Sequence, residues 1–157
     1  MLLPGQVVEV EVQTVAVFGA FCRCQDREVL LLIPETSWVA SYCSCDQFTG
    51  PGDRHTVRIL YVDPNSGQAS ATVRGLHPDP WADGSLAPGR EYLARVVRRV
   101  GAADRCGGHP GLLLELAPGA FAMMCDGGQS LRPGQQLRVV VRESDFSKRS
   151  VAVAPCE

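Results

Sequence analysis

Two Pro-Gly turns recur along this chain at nearly constant spacing, and that recurrence limits what it can fold into. Pro4-Gly5 returns as Pro88-Gly89, and Pro51-Gly52 returns as Pro133-Gly134. Asp63 returns as Asp145, at the same offset as the second turn. Self-similarity at a fixed period marks a repeated structural unit. The chain is therefore expected to hold two copies of one small domain, over residues 1–75 and 88–157, joined by 76–87.

Between the turns lie short segments with strand character. In residues 6–17, Val8, Val10 and Val12 alternate with Glu9, Glu11 and Gln13, the pattern of a half-buried strand. A second strand follows over Phe18 to Cys24, after a bend that Gly19 can make because it lacks a β-carbon. Val29 to Ile33 is a short apolar strand stopped by Pro34. Glu35 to Thr49 has no clear period and reads as a long loop with one helical turn. His55 to Asp63 and Gln68 to Arg74 are the fourth and fifth strands, separated by the turn Pro64-Asn65-Ser66-Gly67. Gly75 to Pro88, rich in Pro, Gly and Asp, reads as a linker. The pattern then restarts with strands over Glu91 to Val100, Gly111 to Leu116, Ala120 to Met124, Gln136 to Arg142 and Ser150 to Val153. Five short strands per copy, with one long excursion after the third, predict an all-β protein of two five-stranded antiparallel OB-fold barrels, the second divergent.

Composition narrows the function classes. Of 157 residues, 45% are hydrophobic and 20% charged, enough for packed cores and unlike a disordered chain. No apolar run approaches the roughly 18 residues of a membrane span, and Met1 to Gly5 lacks the basic and apolar segments of a secretory signal. The expected location is cytoplasmic or otherwise intracellular. There, seven cysteines, an odd number, read as reduced thiols. The formal charge of −2 exerts no global pull on phosphate. Residues 1–80 carry five bases against nine acids, whereas 81–157 carry ten against eight.

Enzyme constellations are missing. His55, His77 and His109 lie near no nucleophile-plus-acid grouping, and there is no phosphate-cradling Gly-Lys-Ser/Thr loop. Cys22-Arg23-Cys24 and Cys43-Ser44-Cys45 could offer four thiolates to zinc. The C-x-C spacing is a weaker signal than C-x₂-C, and buried free cysteine behaves as a small hydrophobe. The expectation is no metal, no cofactor and no catalytic residue.

One stretch stands apart: Val17-Phe18-Gly19-Ala20-Phe21-Cys22 places two aromatic rings beside a glycine. Exposed rings can stack on nucleic acid bases without reading sequence; buried ones would fill the barrel core, and pattern alone leaves both open. Pro4-Gly5, Phe18-Gly19-Ala20-Phe21, Leu32-Ile33-Pro34-Glu35, Pro51-Gly52-Asp53, Val62-Asp63 and Ala71-Thr72-Val73-Arg74 together resemble the S1 RNA-binding domain, an OB-fold module. The segment Asp79-Pro80-Trp81 is similar to one that joins consecutive repeats of ribosomal protein S1.

That resemblance implies a face built from the two aromatics, a histidine ending strand three, an aspartate ending strand four and a basic residue opening strand five. Phe18, Phe21 and Asp63 keep those places; Pro34 and Gln68 occupy the other two. In the second copy Pro110 and Leu113 stand opposite Phe18 and Phe21, while Asp145 and Lys148-Arg149 survive. The resemblance implies a noncatalytic module that binds single-stranded RNA on the first barrel. Phe18 and Phe21 would stack bases, Arg58 and Arg74 would lie near phosphates, and Asp63 would shape the adjoining loop. The second copy would position the first, add a diffuse basic surface of Arg98, Arg99, Arg138, Arg142 and Arg149, or dock a protein. The alternative is a protein-interaction module that has lost RNA binding and docks in a larger assembly.

Overall fold

A computed structural model describes residues 2–39, 42, 44–101, 110–125 and 131–156. The chain forms two compact units, one of Met1–Ser37 with Ser44–Pro78, the other of Trp38–Cys43 with Asp79–Glu157. Both are β structures, as the alternation and turn spacing imply.

The first unit contains β1 (Val7–Val15), β2 (Gly19–Cys24), β3 (Arg27–Leu32), β4 (Arg54–Val62) and β5 (Ala69–Thr72). They close into a barrel in the order β1-β2-β3-β5-β4, with β4 returning to β1. All pairs are antiparallel except β3 with β5, which run parallel. Alternation places Val10, Val12, Ala20, Cys22, Val29, Leu31, Val57, Ile59, Ala69 and Ala71 inside, each buried. Removing these apolar side chains from water supplies the main favourable term for folding. Pro34 ends β3 by entering the single turn α1 (Ile33–Thr36), where its missing N–H costs nothing because first-turn amides have no helical partner. A 3-10 turn at Cys45–Gln47 follows, and another at Arg74–Leu76 cuts β5 shorter than its sequence suggests.

The second unit contains β6 (Glu91–Val100), β7 (Gly111–Ala117), β8 (Ala120–Cys125), β9 (Gln136–Asp145) and β10 (Ser150–Pro155). Its order, β10-β9-β6-β7-β8, is that of the first barrel opened where β3 meets β5. The core gathers Ala94, Val96, Leu112, Leu114, Val139, Val141 and Val151. Val39, Leu86 and the half-buried Trp81 join it. Residues 79–87, which read as linker, thus contribute apolar side chains to this core. The aperiodic excursion does the same through Val39, and Trp38 N–H donates to Gly119 O at 2.8 Å.

The recurring turns do the same work in each unit. Gly5 N–H donates to Ile59 O at 2.7 Å, and Gly89 N–H to Val141 O at 2.8 Å. Gly52 N–H donates to Val12 O at 2.9 Å, and Gly134 N–H to Val96 O at 2.8 Å. All four glycines have φ between 88° and 92°, a region open to glycine and strained for other residues. Pro-Gly recurs because these hydrogen bonds lock the start of the first strand and the entry to the fourth.

One expectation needs correcting. The cysteines are not all reduced thiols: Cys125, at the end of β8, is disulfide-bonded. Cys22, Cys24, Cys45 and Cys156 are reduced thiols. Cys22 is buried, and desolvation, reinforced by the neighbouring Cys45, pushes its thiol up to about 12. It behaves as a small core hydrophobe. Cys43, part of the second C-x-C pair, lies outside the described residues.

Candidate nucleic-acid interface

Phe18 sits in the tight connection between β1 and β2. Ala16 N–H donates to Gly19 O at 2.8 Å, closing the turn. Ile33 N–H reaches Phe18 O and Cys45 N–H reaches Val17 O, both at 3.0 Å, so the loop backbone is held from two sides. The Phe18 side chain is nonetheless 53% exposed. Its ring meets that of Phe21 edge to face, with centroids 5.9 Å apart and planes at 87°. An exposed ring on an anchored backbone loses little freedom when a flat partner settles on it.

Strand pairing extends this feature. Phe21 lies opposite Thr14 on β1 and Leu30 on β3, Leu30 opposite Ser70 on β5, and Ser70 opposite Tyr61 on β4. Directly paired residues share a face, so these five form one row around the outside of the barrel. Gly19, opposite Leu32, leaves the next row open between Phe18 and β3.

The other expected residues fall in different places. Arg58 is exposed on β4 and pairs with Val7 and Thr72, a row apart from the phenylalanines. Its guanidinium makes no ion pair among the described residues. Asp63 caps its turn: Oδ1 accepts from Asn65 N–H at 2.8 Å and Ser66 N–H at 3.4 Å. Arg74 is held within the fold, its Nε 3.4 Å from Glu35 Oε1, and both side chains are largely buried. Gln68, in the place where the resemblance expects a base, donates to Glu28 Oε1 at 3.2 Å.

Two residues with a claim on this surface escaped the sequence reading. A cavity of about 500 Å³ beside the Asp63 turn is lined by Leu3, Arg27, Tyr61 and Asp63, among others. Tyr61 is 58% exposed. A register shift between Ile59 and Tyr61 breaks the in-out alternation there, turning Leu60 and Tyr61 both outward. Two consecutive large apolar residues ending a strand were the available signal. Arg27 is brought in by the β2–β3 turn, and Gly67 leaves room for it: a β-carbon there would stand 3.1 Å from Arg27 Nη1.

Away from the platform, His55 stacks on Phe48 at 5.3 Å, and its Nε2 lies 2.8 Å from Thr49 Oγ1. Burial holds the imidazole below its ordinary 6.5, with the Asp53 carboxylate opposing weakly. The folded protein therefore takes up this proton less readily than the unfolded chain does. The stabilising contribution is complete above about pH 6.5 and is lost as the pH falls from there through the lowered folded value. Urea midpoints at pH 7.5 and pH 5 are expected to show this loss, and a His55→Gln chain should show less of it. An equal loss in both chains would assign the effect to other groups.

In the second unit, register aligns Gly111 with Gly19 and Leu113 with Phe21, because Val96 pairs with Leu114 as Val12 pairs with Cys22. Leu113 is fully buried, so that position offers no ring and no surface. Asp145 caps its turn as Asp63 does, accepting from Ser147 N–H at 3.0 Å and Lys148 N–H at 3.3 Å. No helix among the described residues is long and apolar enough to cross a membrane.

No family model matches the chain. It is similar to 4-hydroxy-3-methylbut-2-enyl diphosphate reductase of Clostridium acetobutylicum, 25% identical over 154 residues, which cover 96% of this chain and 24% of that protein. The chain thus spans about a quarter of the length of that curated relative. Among solved structures, it is similar to a chain of the a/eIF2alpha-aDim2p-rRNA complex from Pyrococcus horikoshii, with TM-score 0.46, 18% identity and coverage of 55% of this chain and 53% of that one. GSP13 from Bacillus subtilis is similar with TM-score 0.43, 23% identity and coverage of 50% and 62%. A multidomain protein with nucleic acid binding domains from Streptococcus pneumoniae is similar over all of this chain and 54% of its own, with TM-score 0.35 and 14% identity.

Proposed function

We propose that this chain is a noncatalytic module that binds single-stranded RNA, with the Phe18–Phe21 pair of the first unit as its stacking platform. The observation that carries this reading is the half-exposed Phe18 ring on a hydrogen-bonded turn, set edge to face against Phe21. Such a pair offers stacking surface to any base and reads no sequence. Arg58 contributes unpaired charge from β4, and Asp63 shapes the turn beside the Tyr61–Arg27 cavity. Arg74 acts mainly by fixing Glu35 and the end of β5. The two units are tandem copies of one S1-type domain, the second no longer carrying the aromatic pair.

A labelled single-stranded oligonucleotide titrated with the full chain at rising salt tests the proposal. Binding should weaken with salt, because each phosphate neutralised by Arg or Lys releases counterions. The slope should be shallow, since the first unit has few free cations. Absence of binding at low salt would remove the RNA reading. The second reading, a protein-docking module, would then rest on the exposed apolar side chains Leu3, Val7, Leu60 and Tyr61 of the first unit.

A further inference from the structure

We infer that the second unit carries its own single-stranded RNA contact, on the outer face of the β9–β10 hairpin. Phe146 is its stacking ring, and Arg142 and Lys148 are its phosphate contacts. The site is separate from the Phe18–Phe21 platform and stands on different residues.

Phe146 follows Asp145 in the turn between β9 and β10 and is 62% exposed, the most exposed aromatic side chain among the large exposed hydrophobics. It is not a loose side chain. The Trp81 ring meets it edge-on at 5.7 Å and 70°, and the Arg149 guanidinium lies 5.6 Å from its centroid. Trp81 is itself fixed by its Nε1–H, which donates to Trp38 O at 2.6 Å. Arg149 is also placed over the Trp38 ring, at 5.9 Å. A partly buried framework thus holds an exposed ring in one orientation, which lowers the ordering cost of a stacked base.

Beside the ring runs a groove of about 800 Å³ lined by Arg142, Glu143, Ser144, Lys148 and Ser150, among others. Arg142 follows the buried Val141 on the outer face, at a bulge. Ala152 pairs with Glu143 and Val153 with Val141, leaving Arg142 without a partner on β10. The residue the bulge re-aims is the next one, Glu143, which is exposed although Val139 and Val141 before it face inward. The bulge of β4 leaves Leu60 unopposed between Ile59 and Tyr61, and the repeat that matches Asp63 with Asp145 matches Leu60 with Arg142. The same backbone position therefore holds an apolar residue in the first unit and a cation in the second. Glu143 and Asp145 also line the groove; the Asp145 carboxylate is turned back into its own turn, where its Oδ1 accepts from the Ser147 amide and hydroxyl and the Lys148 amide. Ring and flanking cations match a single strand: a base on the ring and phosphates on Arg142 and Lys148.

Anisotropy of a labelled oligouridylate with the full chain tests this. Phe146→Ala should weaken binding roughly fivefold or more, and Phe146→Trp should restore it. The pair Arg142→Gln with Lys148→Gln, which leaves the ring framework intact, should flatten the salt dependence by about 1.4 in the log–log slope. In a Phe18→Ala, Phe21→Ala chain, residual binding should vanish on adding Phe146→Ala. The inference is overturned if Phe146→Ala and the Arg142/Lys148 pair both bind as the parent does, or if no RNA binds at all. Loss with Phe146→Ala but none with Phe18→Ala, Phe21→Ala would keep this site and remove the first-unit platform.

Discussion

A chain with Phe18→Ala and Phe21→Ala is expected to bind single-stranded RNA at least about thirtyfold more weakly than the parent, if each ring holds one base at roughly 1 kcal/mol or more. The loss should come from stacking. Phe18 is half exposed and supports little of the core, so its removal costs the fold little. Phe21 is half-buried between Thr14 and Leu30, and losing the edge-to-face contact removes about 0.5 to 1.5 kcal/mol from stability. Urea melts of the variant separate that cost from the binding loss. Phe18→Tyr with Phe21→Tyr keeps both π-faces and should keep most of the affinity. Undiminished binding by the double-alanine chain would assign the bases to another surface, and the Tyr61–Arg27 cavity is the next candidate on that unit.

The barrel of the first unit was legible because its strands alternate. Val10 and Val12, Val57 and Ile59, and Val29 and Leu31 each show period two, and each faces inward. The Pro-Gly turns were legible because positive φ demands glycine. What escaped was encoded by neither period nor turn chemistry. Val39 and Leu86 lie in segments without a period, yet both are buried in the core of the second unit. Their role depends on partners such as Leu112 and Val139, distant in sequence.

Site residues divide in the same way. Phe18 and Phe21 stood out through their spacing around Gly19. Tyr61 did not, because it follows a bulge, where alternation from the buried Val57 and Ile59 predicts the wrong face; Arg142 was read only as one of several scattered bases. Phe146 lies in a turn, where no period exists to mark it. Arg74 looked like a free cation only because Glu35, its partner, lies far from it in sequence, beyond the long excursion and β4.

Gly19→Ala is the substitution expected to disturb fold and site together. A β-carbon at this position would stand 2.7 Å from Leu31 O and 3.2 Å from Leu32 Cα. Both are backbone atoms of β3, so no side-chain rotation can relieve the clash. The two strands must part locally, where Ala20 pairs with Leu31 and Gly19 with Leu32. Overpacking of this kind costs roughly 1 to 3 kcal/mol, which lowers the melting temperature of a domain this size by about 4 °C or more. Gly101→Ala is the control, since a β-carbon there meets nothing within 4 Å and the φ is not positive; its melt should match the parent within about 0.5 kcal/mol. The strain of Gly19→Ala falls on the turn whose carbonyls at Val17 and Phe18 accept from Cys45 and Ile33. RNA affinity should therefore drop even at temperatures where the variant is fully folded. A variant that melts and binds like the parent would mean that β2 and β3 can separate freely at Gly19, and the glycine would then owe its place to something other than the close approach of Leu31.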